Sequence, residues 1–178
     1  MGEQGKEILN TIQDESVLEN PTLFTKFILI SYADLKEYDF VYWFCFPVLH
    51  HPLVKVIATP ISLAKSNIMT EDEFKTIQTQ AKGIVSIYDT VTHTWIQFNK
   101  LISEIERIGQ ETNKDQRLGL YIRDSGTLPD TPGWIARNII YAVSYYALKK
   151  GIKEVPVEII FIREQNEQDN IEDEIKKE

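Results

Sequence analysis

The segment 19–49, ENPTLFTKFILISYADLKEYDFVYWFCFPVL, constrains the fold more than any other, because it sets two apolar runs on either side of a charged turn. Residues 27–32 and 40–49 are dense in β-branched and aromatic side chains, which suit a pleated surface, and both are predicted as strands. Between them, Ala33-Asp34-Leu35-Lys36-Glu37-Tyr38-Asp39 carries four charges that are costly to bury. The segment is therefore a hairpin whose turn, with Lys36 and Tyr38, lies at the surface.

A second unit lies downstream. Residues 118–123 are predicted as a strand closed by the turn formers Asp124-Ser125-Gly126. A long helix follows from about 132 to 150, with Thr131 as candidate cap, Pro132 in the first turn and Gly151 past the end. It is apolar on more than one side: Ile135, Ile139, Ala142, Val143, Tyr146 and Ala147 form a broad face that Ile140, Tyr141 and Tyr145 widen, so it packs centrally. With a strand at 156–163 the order is strand, helix, strand, and a parallel βαβ unit is the economical solution.

The remaining elements are shorter. Residues 6–13 form a helix with Ile8, Leu9 and Ile12 on one side, and Pro21 opens a further helical turn. Residues 54–59 read as a strand, and Thr70 with Glu73 forms a capping box that starts a helix to about residue 82. Residues 84–88 and 91–98 make a second hairpin around Asp89-Thr90. Leu101, Ile102, Ile105 and Ile108 mark a helix that Gly109 would stop. The fold class is α/β, with α+β left open: a mixed sheet with β-hairpins, a C-terminal βαβ unit, and helices packed on the sheet.

Charge divides the chain. Residues 164–178 hold seven acids against two lysines, a net of −5 out of the total of −8. The expectation is a folded domain over 1–163 and an acidic, disordered tail over 164–178. No basic stripe is present to neutralise phosphates, which argues against nucleic-acid binding. No apolar run approaches the roughly 18 residues of a membrane span, and the polar N-terminus does not resemble a signal peptide, so a cytoplasmic protein is expected. Cys45, the single cysteine, has no intramolecular disulfide partner and fits a reducing compartment.

Few residues point to chemistry. Cys45 sits among Trp43, Phe44 and Phe46, surroundings that disfavour a thiolate, and is expected to be buried and structural. His50 and His51 would face opposite ways on a strand, and neither has helical spacing to His93, so no metal site is expected. The run Leu128-Pro129-Asp130-Thr131-Pro132-Gly133 has one glycine, and its two prolines remove amide donors, so it is not a phosphate loop and no cofactor is expected. Arg123 and Asp124, at a strand end near a helix start, occupy a place where ligands collect in α/β sheets. Trp134 is either a core anchor or a partner contact. Arg137, one turn on, either pairs with Asp130 or Asp124 or meets a partner.

Two ordered word matches carry a family resemblance: ENP, KF, ADLK and YWF within 19–49, and PGW with Arg137-Asn138 followed by VEIIFIRE within 120–164. Together they resemble the N-terminal domain of autophagy-related protein 7, the activating enzyme for the ubiquitin-like autophagy modifiers. The stretch from about 55 to 114 matches only in the order of its elements. In that family the chemistry belongs to a later adenylation domain with a glycine-rich nucleotide loop and a thioester-forming cysteine, while the N-terminal domain recruits the conjugating enzymes. This chain contains no GxGxxG, and Cys45 does not match that cysteine. The expectation is part of a recruiting domain, without the adenylation domain or the first part of the N-terminal one.

The resemblance implies a non-catalytic protein-binding module. Its partners would be conjugating enzymes of the autophagy-related protein 3 or 10 type, with a separate adenylation-domain chain as a further one. The candidate partner-binding residues are Lys36, Tyr38, Arg123, Asp124, Trp134 and Arg137, chosen as exposed charged or aromatic positions in the matched segments. Two alternatives remain: a structural remnant without activity, or a small-molecule enzyme in which Asp124 and Asp89 converge with His93 as base.

Overall fold

Strand Leu118–Arg123 lies at the centre of the structure because its side chains alternate. Leu118, Leu120 and Ile122 enter the hydrophobic core, whereas Tyr121 turns the other way against Tyr88 and Trp95. The structure, a computed structural model, describes residues 2–50, 55–56, 72, 75, 79, 83–89, 91–92, 94–110, 116–128 and 131–163. In chain order its elements are α1 (Gly2–Gln13), α2 (Ser16–Glu19), a 3-10 turn (Pro21–Thr25), β1 (Ile28–Asp34), β2 (Asp39–Cys45), β3 (Val85–Asp89) and β4 (Thr94–Ile96). A second 3-10 turn (Phe98–Lys100), α3 (Leu101–Gln110), β5 (Leu118–Arg123), α4 (Trp134–Lys149) and β6 (Val157–Ile162) complete them.

The α/β class is present as expected. β3 to β6 form a mixed sheet in the order β4-β3-β5-β6, in which β3 runs antiparallel to both neighbours and β5 runs parallel to β6 through α4. The first hairpin forms in register from Ile28–Cys45 to Asp34–Asp39, but as a separate two-stranded ribbon. The core gathers Ile8 and Ile12 of α1, Leu101, Ile105 and Ile108 of α3, and all six residues of the expected α4 face against Val85, Ile87, Leu118, Leu120 and Ile122.

Several boundaries differ from expectation for identifiable reasons. β1 extends to Asp34 because the ladder continues through Ala33–Phe40. β2 ends at Cys45 rather than 49 because the next residues bond to α4: the Asn138 amide donates to the Pro47 carbonyl at 3.1 Å, and Leu49 N–H donates to Asn138 Oδ1 at 2.9 Å. α1 starts at Gly2, ahead of the expected 6, and the short α2 is an addition. Gly109 lies inside α3 instead of stopping it. A Cβ there would fall 2.7 Å from Ile152 Cδ1, so this glycine makes room for Ile152.

α4 starts at Trp134 with Gly133 as its cap, so Thr131 and Pro132 precede the helix. Cys45 is partly exposed rather than buried, because its ribbon keeps exposed side chains on both faces. Asp72, Lys75 and Thr79 are helical within the expected 70–82 helix, and Lys55 and Val56 are not in a strand; the rest of the 70–82 helix and of the 54–59 strand lies outside the described residues. His51, His93, Asp130 and the 164–178 tail lie outside them too.

One buried hydroxyl ties the ends of the fold. The Tyr146 hydroxyl donates at 2.8 Å to the Ile12 carbonyl, which belongs to the last turn of α1 and has few partners of its own. Burial, and then the nearby Glu15, Tyr145 and Asp14, push the Tyr146 phenol well above its usual range near 10.0. The folded chain therefore keeps a proton that the unfolded chain releases at high pH, and stability falls as pH rises past that value. Tyr146→Phe is expected to cost about 1–2 kcal/mol near neutral pH and to flatten the alkaline decline. Urea unfolding as a function of pH checks both, and a variant as stable as wild type would refute the assignment.

Candidate docking surface

The ribbon carries large apolar side chains on both faces. Register and alternation place Leu29, Phe40, Tyr42 and Phe44 on one face, and Ile30, Tyr32, Val41 and Trp43 on the other. All are exposed, Phe44 and Tyr32 at 58% and Trp43 at 51%. The sequence signal for this is the unbroken apolar run from Phe40 to Phe46, since strands buried on two faces read as continuous rather than alternating. At the tip, the Asp34 carboxylate accepts the Lys36 and Glu37 amides and Tyr38 takes a left-handed φ of 58°, leaving its ring 82% exposed.

The base of the ribbon meets α4 through aromatic rings. Phe46 stacks on Trp134 with centroids 4.5 Å apart and 13° between planes, and Phe44 and Phe27 extend the cluster. Trp134 is thus the hinge post between the ribbon and the βαβ unit, and Asn138 one turn later fixes the chain leaving β2. Seven strand residues span roughly 20 Å, so Lys36 and Tyr38 sit that far from this base.

Behind Trp134 the loop from β5 to α4 is locked by an ion pair. Asp124 is only 6% exposed, against its selection as an exposed position, because its carboxylate turns inward to the Gly133 N–H, 3.0 Å from each oxygen. Its charged partner is Arg163 at 2.8 Å, not Arg137; Arg163 also donates to the Thr131 and Leu128 carbonyls and lies 5.3 Å over the Phe161 ring. A Cβ on Gly133 would come within 2.3 Å of Asp124 Oδ1, which is why this position is glycine at an ordinary φ of −66°. Arg137 is exposed and donates through Nε to the Pro132 carbonyl at 2.9 Å.

Trp134 and Arg137 line a shallow cavity of about 250 Å³ with Val48, Leu128, Ser125 and Thr127. Of the six candidate residues, the structure brings these two together, sets Asp124 in the adjoining ion pair, leaves Arg123 exposed on the opposite side of the sheet, and carries Lys36 and Tyr38 to the distant tip. Arg163, Asn138 and Phe46 were not among the candidates, because their partners lie far off in sequence.

The carboxylates proposed to converge do not. Asp89 pairs with Leu118 at the start of β5, and Asp124 follows its other end. Asp89 serves its own hairpin: burial alone would raise its pKa, but the Thr92 and Val91 amides and Arg107 lower it overall. Among the described residues, no helix is long and apolar enough to cross a membrane.

Comparison with known proteins gives a family. A family model described as ubiquitin-like modifier-activating enzyme ATG7 N-terminus matches residues 1–176. The ubiquitin-like modifier-activating enzyme ATG7 of Gallus gallus is 30% identical over 158 residues, covering 80% of this chain and 21% of that protein. The Homo sapiens protein of the same name is 29% identical over 157 residues, covering 78% and 20%. That of Gibberella zeae is 50% identical over 46 residues, covering 26% and 7%. The chain spans about a fifth of the length of the curated animal relatives it matches.

The Asp124–Arg163 lock predicts a stability effect. Arg163→Ala is expected to cost about 3–5 kcal/mol, because it strands a buried carboxylate. Arg163→Lys should recover only part, since an ammonium cannot reproduce the planar fork shared among Asp124, Leu128 and Thr131. Denaturant unfolding measures both, and a loss for Arg163→Ala below about 0.5 kcal/mol, the level of an ordinary surface change, would sink the account.

Proposed function

The chain belongs to the ubiquitin-like modifier-activating enzyme ATG7 N-terminal family, and from that premise we propose that it is a non-catalytic protein-binding module that recruits conjugating enzymes for transfer of a ubiquitin-like modifier in the cytoplasm. The observation that supports this reading is the ribbon. A two-stranded ribbon alone in water is marginally stable. Here it also presents apolar side chains on both faces, an arrangement that marks an interaction surface.

The partner is a conjugating enzyme of the autophagy-related protein 3 or 10 type. An extended segment of it would pair with a free ribbon edge or lie across one face. Such tethering raises the effective concentration of the conjugating enzyme to the millimolar range, about that given by a short flexible linker, and asks no chemistry of the module. An adenylation domain, in the same protein or on a separate chain, carries out activation. The separation of Asp89 from Asp124 supports the non-catalytic role.

Calorimetry of the purified chain with conjugating enzymes of both types tests the proposal. Saturable binding is expected, with Tyr42→Asp and Phe44→Asp each weakening it roughly tenfold or more, the scale of an aromatic interface anchor. Arg123→Ala, exposed on the far side of the sheet, is the folded comparison and should bind as wild type. Absence of binding by a chain shown to be folded would overturn the recruiting role and leave a structural remnant.

A further inference from the structure

The cavity beside Trp134 has an uneven supply of hydrogen-bonding groups. Several acceptors around it are engaged: both Asp124 oxygens by Gly133 and Arg163, the Leu128 and Thr131 carbonyls by Arg163, and the Pro132 carbonyl by Arg137. Arg137 uses only Nε, and among the described residues its two Nη groups, which can only donate, have no partner; the Ser125 and Thr127 hydroxyls, free to donate or accept, have none either. Among the described residues the carboxylate beside the cavity, Asp124, is paired with Arg163, and the Arg137 guanidinium at the cavity edge has no acidic partner.

Part of its wall is apolar, with Val48 and Leu128 exposed and Trp134 also in the lining. At about 250 Å³ the cavity is smaller than the roughly 300–1,000 Å³ of small-molecule pockets, and suits one or two side chains of a docked segment. We infer that this cavity is a second docking point, which takes an acidic residue adjacent to a large apolar one from a partner protein. The carboxylate meets the Arg137 guanidinium, and the apolar side chain lies against Val48, Leu128 and Trp134. Arginine suits this task because its planar fork binds a carboxylate through two parallel bonds.

This inference rests on the chain being a protein-binding module, and its test is separate from that of the ribbon. Peptides are selected from a random short-peptide display library on the full folded chain, then synthesised and measured by fluorescence anisotropy against wild type, Arg137→Glu and Leu128→Asp. Both substitutions fall on exposed residues outside the core. One peptide class should carry Asp or Glu next to Leu, Ile, Phe or Trp and lose roughly tenfold or more in affinity with each variant, as expected for a charged hydrogen bond or a filled apolar wall. Exchanging its acid for lysine should abolish binding to wild type and restore it to Arg137→Glu.

If no selected class responds to both variants, or the responsive class lacks an acid, the inference is overturned. Failure here with conjugating-enzyme binding intact removes the cavity alone. The reverse outcome removes the recruiting role alone.

Discussion

The carboxylate of Asp124 holds together three segments that the chain brings from far apart: the end of β5, the start of α4 and the residue after β6. It accepts the amide at which α4 begins, and it pairs with Arg163 across the parallel strands. Parallel strands need a long crossover, and the loop entering the crossover helix is the part with least regular bonding of its own. Here Arg163 supplies that bonding by collecting two loop carbonyls along with the carboxylate. Because Trp134 and Asn138 follow directly, the lock also sets the angle at which α4 meets the ribbon.

The ribbon depends on that angle. Asn138 replaces the missing sheet partner for the chain leaving β2, and the Phe46–Trp134 stack fixes the ribbon base. Beyond the base the ribbon continues for several residue pairs with apolar side chains on either side. A sheet meant for solvent on one side would alternate apolar and polar residues. Tyr42, Trp43 and Phe44 are consecutive, so their pattern suits a layer covered twice.

What the sequence made legible was local. The limits of β5 and the buried face of α4 follow from strand alternation, helical spacing and turn formers, all within one segment, and both agree with the structure. The cap of α4 was not legible, because a carboxylate nine residues upstream does the work that Thr131 would do locally. Gly109 has the form of a helix stop, but its absent side chain serves Ile152. Arg137 had a claim on Asp124 in the sequence, but the parallel pairing of β5 with β6 brings Arg163 to that carboxylate instead. The two matched word groups were legible as a family before their physical link was: they meet at Phe46, Trp134 and Asn138, whose contacts span about half the chain.

The two candidate surfaces differ in what they ask of a partner. Away from its charged tip the ribbon offers apolar area and backbone edges, which supports affinity but discriminates poorly among extended apolar segments. The cavity offers little area but a guanidinium without an acidic partner among the described residues, set beside an apolar wall, and a partner without an acid there would leave that cation unpaired. Trp134 borders both, through its stack on Phe46 at the ribbon base and its place in the cavity lining. A segment that followed the ribbon to its base would thus reach the Arg137 guanidinium before it was fully seated, beside a loop whose Asp124 carboxylate is already held by Arg163.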